Sequence, residues 1–180
     1  MFKKSCYWLI GFCILNLSAT LLANNNKTLD KVYEQHAFTQ MGEATFSILF
    51  WDLYKSKLLT TTGRYPINIK FEHLIYEINY LADISKKDLI KRTVEQWQHI
   101  DIKESLYTPY LETLNQIWPD IESGDTLTLV LTNGTTEFYF NGVYIGQIIE
   151  PAFGPLFLDI WLSEKTSQPE LRTDLLGITQ

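Results

Sequence analysis

Apolar residues recur along this chain at spacings of two or of three to four, and the two periods mark out strands and helices. From Glu43 to Leu59 the chain is rich in Thr, Phe, Ile, Leu, Trp and Tyr. Phe46, Ile48 and Phe50 share one parity and Thr45 and Ser47 the other, which predicts a half-buried strand. Gly63 and Pro66 punctuate a turn over Thr60 to Pro66, and extended structure resumes over Ile67 to Leu81 with a lapse at His73-Leu74-Ile75. Leu89, Ile90, Thr93, Val94 and Trp97 then share one helical face, behind a short capping box of Ser85 and Asp88. A second helix carries Tyr107, Tyr110, Leu111, Leu114, Ile117 and Trp118, with Pro109 in its first turn and Pro119 at its end.

The last third is the most sharply patterned. Leu127, Leu129 and Leu131 alternate with Thr126, Thr128 and Val130, and both Asn133-Gly134 and Asn141-Gly142 are type I′ hairpin pairs. With Phe138, Phe140, Val143 and Ile145 continuing the alternation, a three-stranded antiparallel meander is expected. Phe153, Leu156, Phe157, Ile160 and Trp161 form the next helical stripe. Ser167 and Glu170 then read as a capping box around Pro169, opening a final helix that ends at Gly177. Asn24 to Asp30 is polar and reads as loose chain.

The N-terminus changes the picture of where the protein works. Lys3 and Lys4 precede an apolar run from Tyr7 to Leu22, and Ala23 then meets three asparagines. This is the pattern of a signal peptide over residues 1–23, with a single domain over 24–180 and a periplasmic or otherwise exported location. The run is short for a membrane span, so the membrane enters only through an uncleaved N-terminus. Cys6 and Cys13 both lie in this segment, so a chain cut after Ala23 has no thiol and no disulfide. Without Lys3 and Lys4, 13 basic residues face 21 acidic ones, a net charge of −8. Such a chain is a poor nucleic-acid binder and is not drawn to anionic lipid.

Little chemistry is written in motifs. His36, His73 and His99 stand apart at no metal-ligand spacing, and there is no nucleophile elbow or phosphate-binding glycine loop. No cofactor is expected. Asp88, Lys91 and Glu95 share one helical face, either as a solvated salt-bridge stripe or as a partly buried anchor for a carboxylate or phenolate.

The final third carries Gly124-Asp125, Phe138-Tyr139-Phe140-Asn141-Gly142, Gly146, Pro151-Ala152-Phe153, Ile160-Trp161-Leu162, Thr166, Pro169, Leu171-Arg172 and Leu175-Leu176-Gly177. In order and spacing this resembles the chalcone isomerase-like family, in particular its bacterial exported branch, with weaker similarity reaching back to the Tyr54 strand. The resemblance implies an α+β fold, an open-faced β-sandwich in which helices cover one face of a large antiparallel sheet. Members of that family include plant isomerases that close a flavanone ring and non-catalytic proteins, some of which bind fatty acids. The isomerases use an arginine on the first long strand, a threonine nearby, and a tyrosine at a strand-to-helix junction that corresponds roughly to Lys87-Asp88. Here Glu43 to Leu59 holds no arginine and Lys87-Asp88 replaces the tyrosine, so most of the stabilisation of a developing enolate is missing.

The leading expectation is therefore a non-catalytic protein holding a small amphipathic ligand, such as a fatty acid, in a cleft between sheet and helices. Lys91, Tyr54 and Thr45 are its candidate binding residues. The alternatives are an isomerase or lyase using those same groups in a rebuilt site, and an envelope interaction protein with no ligand. No protein partner is indicated.

Overall fold

The computed structural model describes residues 27–68 and 72–178. The signal segment 1–23, with both cysteines, lies outside the described residues, as do positions 69–71 of the expected extended stretch. Six strands form one antiparallel sheet whose spatial order is its chain order: β1 (Thr39–Ile48), β2 (Trp51–Thr60), β3 (Leu74–Tyr80), β4 (Thr126–Thr132), β5 (Thr135–Phe140) and β6 (Val143–Ile148). Helices α2 (Lys86–His99) and α3 (Glu104–Ile117) lie between β3 and β4, and α4 (Phe153–Leu162) and α5 (Pro169–Leu176) follow β6. A short helix, α1 (Leu29–Gln35), precedes the sheet.

Alternation assigns the two faces. Leu58, Leu74, Tyr76, Ile78, Leu127, Leu129 and Phe138 pack with Trp97, Leu114, Phe153 and Phe157 from the helices. Most of these side chains are almost wholly buried. Each fully buried Leu or Phe contributes about 1.5–3 kcal/mol from desolvation, so this layer dominates stability. Ile75, Val130 and Tyr139 point the other way and are covered by Leu29 and Val32 of α1. That second, smaller layer was not expected, because seven residues of mixed polarity carry little periodic signal; of the stretch read as loose chain, 24–26 lie outside the described residues, and Leu29 and Asp30 are helical.

The meander is as expected. Asn133 and Asn141 have φ of 51° and 49° and each is followed by a glycine at 79°, the twist an I′ turn requires. Gly177 ends α5 with φ 62°, its N–H donating to Asp174 O, while Ile178 N–H reaches back to Thr173 O.

Four local expectations need correction. The stretch Glu43 to Leu59 is two strands rather than one, β1 and β2 folding back through Leu49 and Phe50. No glycine, asparagine or proline marks that turn, so nothing in the composition interrupts the strand pattern. Among the described residues after Pro66, regular extended structure begins at Leu74, and Ile67, Asn68, Glu72 and His73 are outside it. Pro109 falls inside α3 rather than in its first turn, since α3 begins at Glu104. Finally, the α5 N-cap is Gln168, which makes no side-chain cap bond. Pro169 at the first helical position moves the cap past Ser167, whose hydroxyl donates instead to Gln96 Oε1 at 2.7 Å.

Candidate functional site

Between the helix-facing side of β1–β4 and helices α2 and α4 lies a cavity of about 480 Å³. Its interior is apolar, built by Phe46, Ile78, Leu89, Leu127, Phe157 and Ile160. Its polar groups come chiefly from one row of α2 and from the segment joining α4 to α5: Asp88, Arg92 and Gln96, then Thr166, Ser167 and Gln168. A volume of this size with an apolar body and few polar groups is of the kind that holds small ligands.

Local sequence explains each part. Ser85 caps α2 by accepting the Asp88 N–H at 3.1 Å, and donates its hydroxyl to Asp88 Oδ2 at 2.7 Å. Asp88 is one methylene shorter than the usual glutamate and closes the box on the hydroxyl. The cap fixes the rotation of α2, so that Leu89, Thr93 and Trp97 are buried and the flanking row of Asp88, Arg92 and Gln96 reaches the cavity. Trp97 locks α2 to α4 by donating Nε1–H to Leu156 O at 2.9 Å. The Ser167–Gln96 bond ties α2 to the α4–α5 segment at the cavity wall.

Tyr54 is the most organised polar group in the wall. Its ring stacks on Phe46 with centroids 5.0 Å apart, and its hydroxyl oxygen accepts Nε1–H of Trp161 at 2.9 Å. An oxygen whose lone pair is taken by a donor keeps its own hydrogen to give, so Tyr54 is oriented as a hydrogen-bond donor. Burial pushes its pKa up to about 12, against the smaller downward pull of the Trp161 bond. Burial, then the nearby Tyr54, raises Tyr80 further still. Both cavity tyrosines are neutral donors across the physiological range.

Charge at the wall is mixed. Asp83 accepts Ser123 N–H at 2.8 Å and Asp88 is held by Ser85, so both carboxylates have protein partners. Arg92 contacts Glu95 through Nη1 at 2.8 Å, which engages one of the five N–H donors of the guanidinium. It is the cationic side chain that reaches the cavity, and it does so from the mouth, since 69% of that side chain is exposed.

Of the three residues singled out from sequence, Tyr54 lines the cavity and Lys91 and Thr45 do not. Lys91 is exposed on the outer side of α2, 3.8 Å from Glu95, the solvated salt-bridge stripe weighed above. Thr45 is exposed on the opposite parity from Phe46. Arg92 is as exposed as Lys91 and pairs with the same Glu95, but of the two only Arg92 also borders the cavity. The signal was present: Asp88, Arg92 and Gln96 recur at intervals of four, each one position before the apolar row Leu89, Thr93 and Trp97. A polar row flanking a buried stripe is where a helix meets a cleft. Among the described residues no cluster of three or more His, Cys, Asp or Glu is arranged to hold a metal.

The sequence model of the chalcone isomerase-like family matches residues 23–177, and the chain belongs to that family. Among solved structures it is similar to a fatty-acid binding protein of Arabidopsis thaliana, with a TM-score of 0.61 and 12% sequence identity over 78% of this chain and 87% of that one. At that identity the likeness is one of fold, and the fold is the open-faced α+β arrangement that the final third implied. No curated protein matches the chain by sequence.

Proposed function

We propose that this protein is an exported, non-catalytic carrier that holds a small amphipathic acid, of the fatty-acid class, in the cavity between sheet and helices. The observation that carries this reading is a cavity of about 480 Å³ with an apolar body, one oriented neutral donor (Tyr54) and one cation (Arg92). An alkyl chain buries against Phe46, Leu89, Phe157 and Ile160, and the acid group is held by Arg92, which takes the role first given to Lys91. Tyr54, its oxygen already engaged by Trp161, donates its hydroxyl hydrogen to the same acid group. The structural similarity to a plant fatty-acid binding protein supports the ligand class, and the signal-like segment 1–23 supports export. The rebuilt-enzyme alternative has less to draw on, since two of the three groups it would use, Lys91 and Thr45, lie outside the cavity.

The test is native mass spectrometry of the protein isolated from the compartment to which it is exported, followed by denaturing extraction. A near-stoichiometric fatty acid, lost in Arg92→Ala, is the expected result. An apo mass that stays unchanged after incubation with fatty acids would remove this ligand class.

A further inference from the structure

The turn joining β1 to β2 carries four consecutive large apolar residues. Ile48 is 52% exposed, Leu49 88%, Phe50 97% and Trp51 75%; the other exposed large apolar side chains among the described residues (Tyr33, Tyr65, Leu106, Val143 and Ile149) are never adjacent in the chain, and none exceeds 63%. The turn is also held against backbone preference. Leu49 has φ 56°, a left-handed conformation that glycine or asparagine fills without cost and a leucine does not. A solvent-facing turn with only a structural duty gains nothing from Leu-Phe-Trp at its apex.

The tip continues the cavity wall. Phe46, Ile48 and Leu53 all line the cavity, so an apolar path runs from the exposed apex along the hairpin to the interior. We propose that this hairpin tip is a membrane-docking wedge: Leu49, Phe50 and Trp51 insert into the surface of a lipid bilayer and bring the cavity into contact with it. Three features favour lipid over a protein partner. Four side chains on a convex turn fall far short of the roughly 20–30 residues a side of a stable protein interface. A tight hairpin pairs its own backbone, with Ile48 opposite Trp51, which is the condition for entering an apolar phase. And an indole at the edge of an apolar tip is suited to the bilayer interface.

Depth and lipid preference follow from the flanks. Immediately below the tip, Ser47 Oγ donates to Asp52 Oδ1 at 2.6 Å, and this hydrogen-bonded carboxylate stays at headgroup level and limits insertion to the apex. The chain is acidic, so insertion is driven by apolar area rather than by attraction to anionic lipid. The docking claim stands without the carrier reading. The further claim that ligand passes from bilayer to cavity rests on it.

The experiment compares the full chain with Trp51→Phe and Phe50→Ser, using vesicles of phosphatidylcholine with and without bromine on the upper acyl chain. The wild-type minus Trp51→Phe difference isolates Trp51 emission from that of the other four tryptophans. Expected are a blue shift of that difference on adding vesicles, strong quenching by brominated lipid, little effect of salt, and several-fold weaker quenching in Phe50→Ser. Unchanged circular dichroism and melting in Phe50→Ser establish that the fold is intact. Emission of Trp51 that stays red and unquenched overturns the proposal. So does a blue shift in vesicle-free protein, whether it grows with protein concentration, as a second copy would make it, or is independent of concentration, as cover by the same chain would. Transfer of a fluorescent fatty acid is read separately. If Trp51 inserts but no ligand moves, docking stands and the transfer claim fails, while the carrier reading is decided by the mass-spectrometric test.

Discussion

The Tyr54 hydroxyl spends its oxygen on Trp161 and keeps its hydrogen, which makes it a donor by geometry before any ligand arrives. Tyr54→Phe is expected to weaken binding of a fatty acid by roughly tenfold or more, the ~1.5–3 kcal/mol of a hydrogen bond to a charged group, measured by calorimetric titration well below the melting temperature. A variant that binds as tightly as wild type would place the acid group away from Tyr54. A second residue-scale consequence concerns His73, whose Nδ1 is buried with no hydrogen-bond partner among the described residues and whose ring lies 4.0 Å from that of His36. Burial, then the neighbouring His36, lowers its pKa below the ordinary 6.5. The unfolded chain therefore takes up this proton first as the pH falls. Stability is full above about 6.5 and declines below it, until the folded-state pKa is passed. Urea titrations between pH 7.5 and 5 are expected to show the decline, and His73→Gln to flatten it. Tyr54 was legible in the sequence as part of a strand that the family resemblance covers. Its pairing with Trp161 was not, because the two are 107 positions apart and only the closed fold brings them together.

At the level of elements, legibility followed punctuation. The two Asn-Gly turns and the Gly177 cap were readable because their backbone conformations demand particular residues. The β1–β2 turn was hidden because it breaks that rule with Leu49 and Phe50, and α1 because it has barely two turns. Contact between α5 and β1 was also invisible in the chain, and its closeness depends on glycines, Gly42 on the strand and Gly177 at the helix end. A Cβ on Gly42 would come 1.9 Å from Asp174 O and 2.7 Å from Leu175 O, both backbone atoms of α5. Gly42→Ala must push the helix off the strand, and its expected cost is at the upper end of the roughly 1–3 kcal/mol of overpacking. Thermal melting measures it. A melt within about a degree of wild type would mean that α5 is free to slide. Relief works in the opposite direction at the hairpin. Leu49→Gly removes the positive-φ strain and is expected to leave the melt equal or higher.

For the molecule as a whole, a carrier is stabilised by its cargo. At ligand concentrations of about a hundred times Kd, binding adds ~2.7 kcal/mol to unfolding free energy, so a matched fatty acid is expected to raise the melting temperature by several degrees. The wild type and Arg92→Ala should differ in that increment more than in their apo melts. The layered architecture was legible from periodicity together with the family resemblance, while the cavity was not, since a void is defined by what several distant elements leave unfilled. The order of the strands has one more consequence. Every sheet neighbour is also a chain neighbour, and only the β3–β4 pair is separated by a long excursion, the 45 residues 81–125. Short hairpins form quickly, whereas bringing β3 to β4 requires closure of that loop before any contact rewards it. The seam where Ile75 meets Val130 and Tyr76 meets Leu129 is then the kinetic bottleneck of folding. Conservative truncations such as Ile75→Val or Val130→Ala should slow refolding, while truncations at the β1–β2 apex should leave the refolding rate untouched.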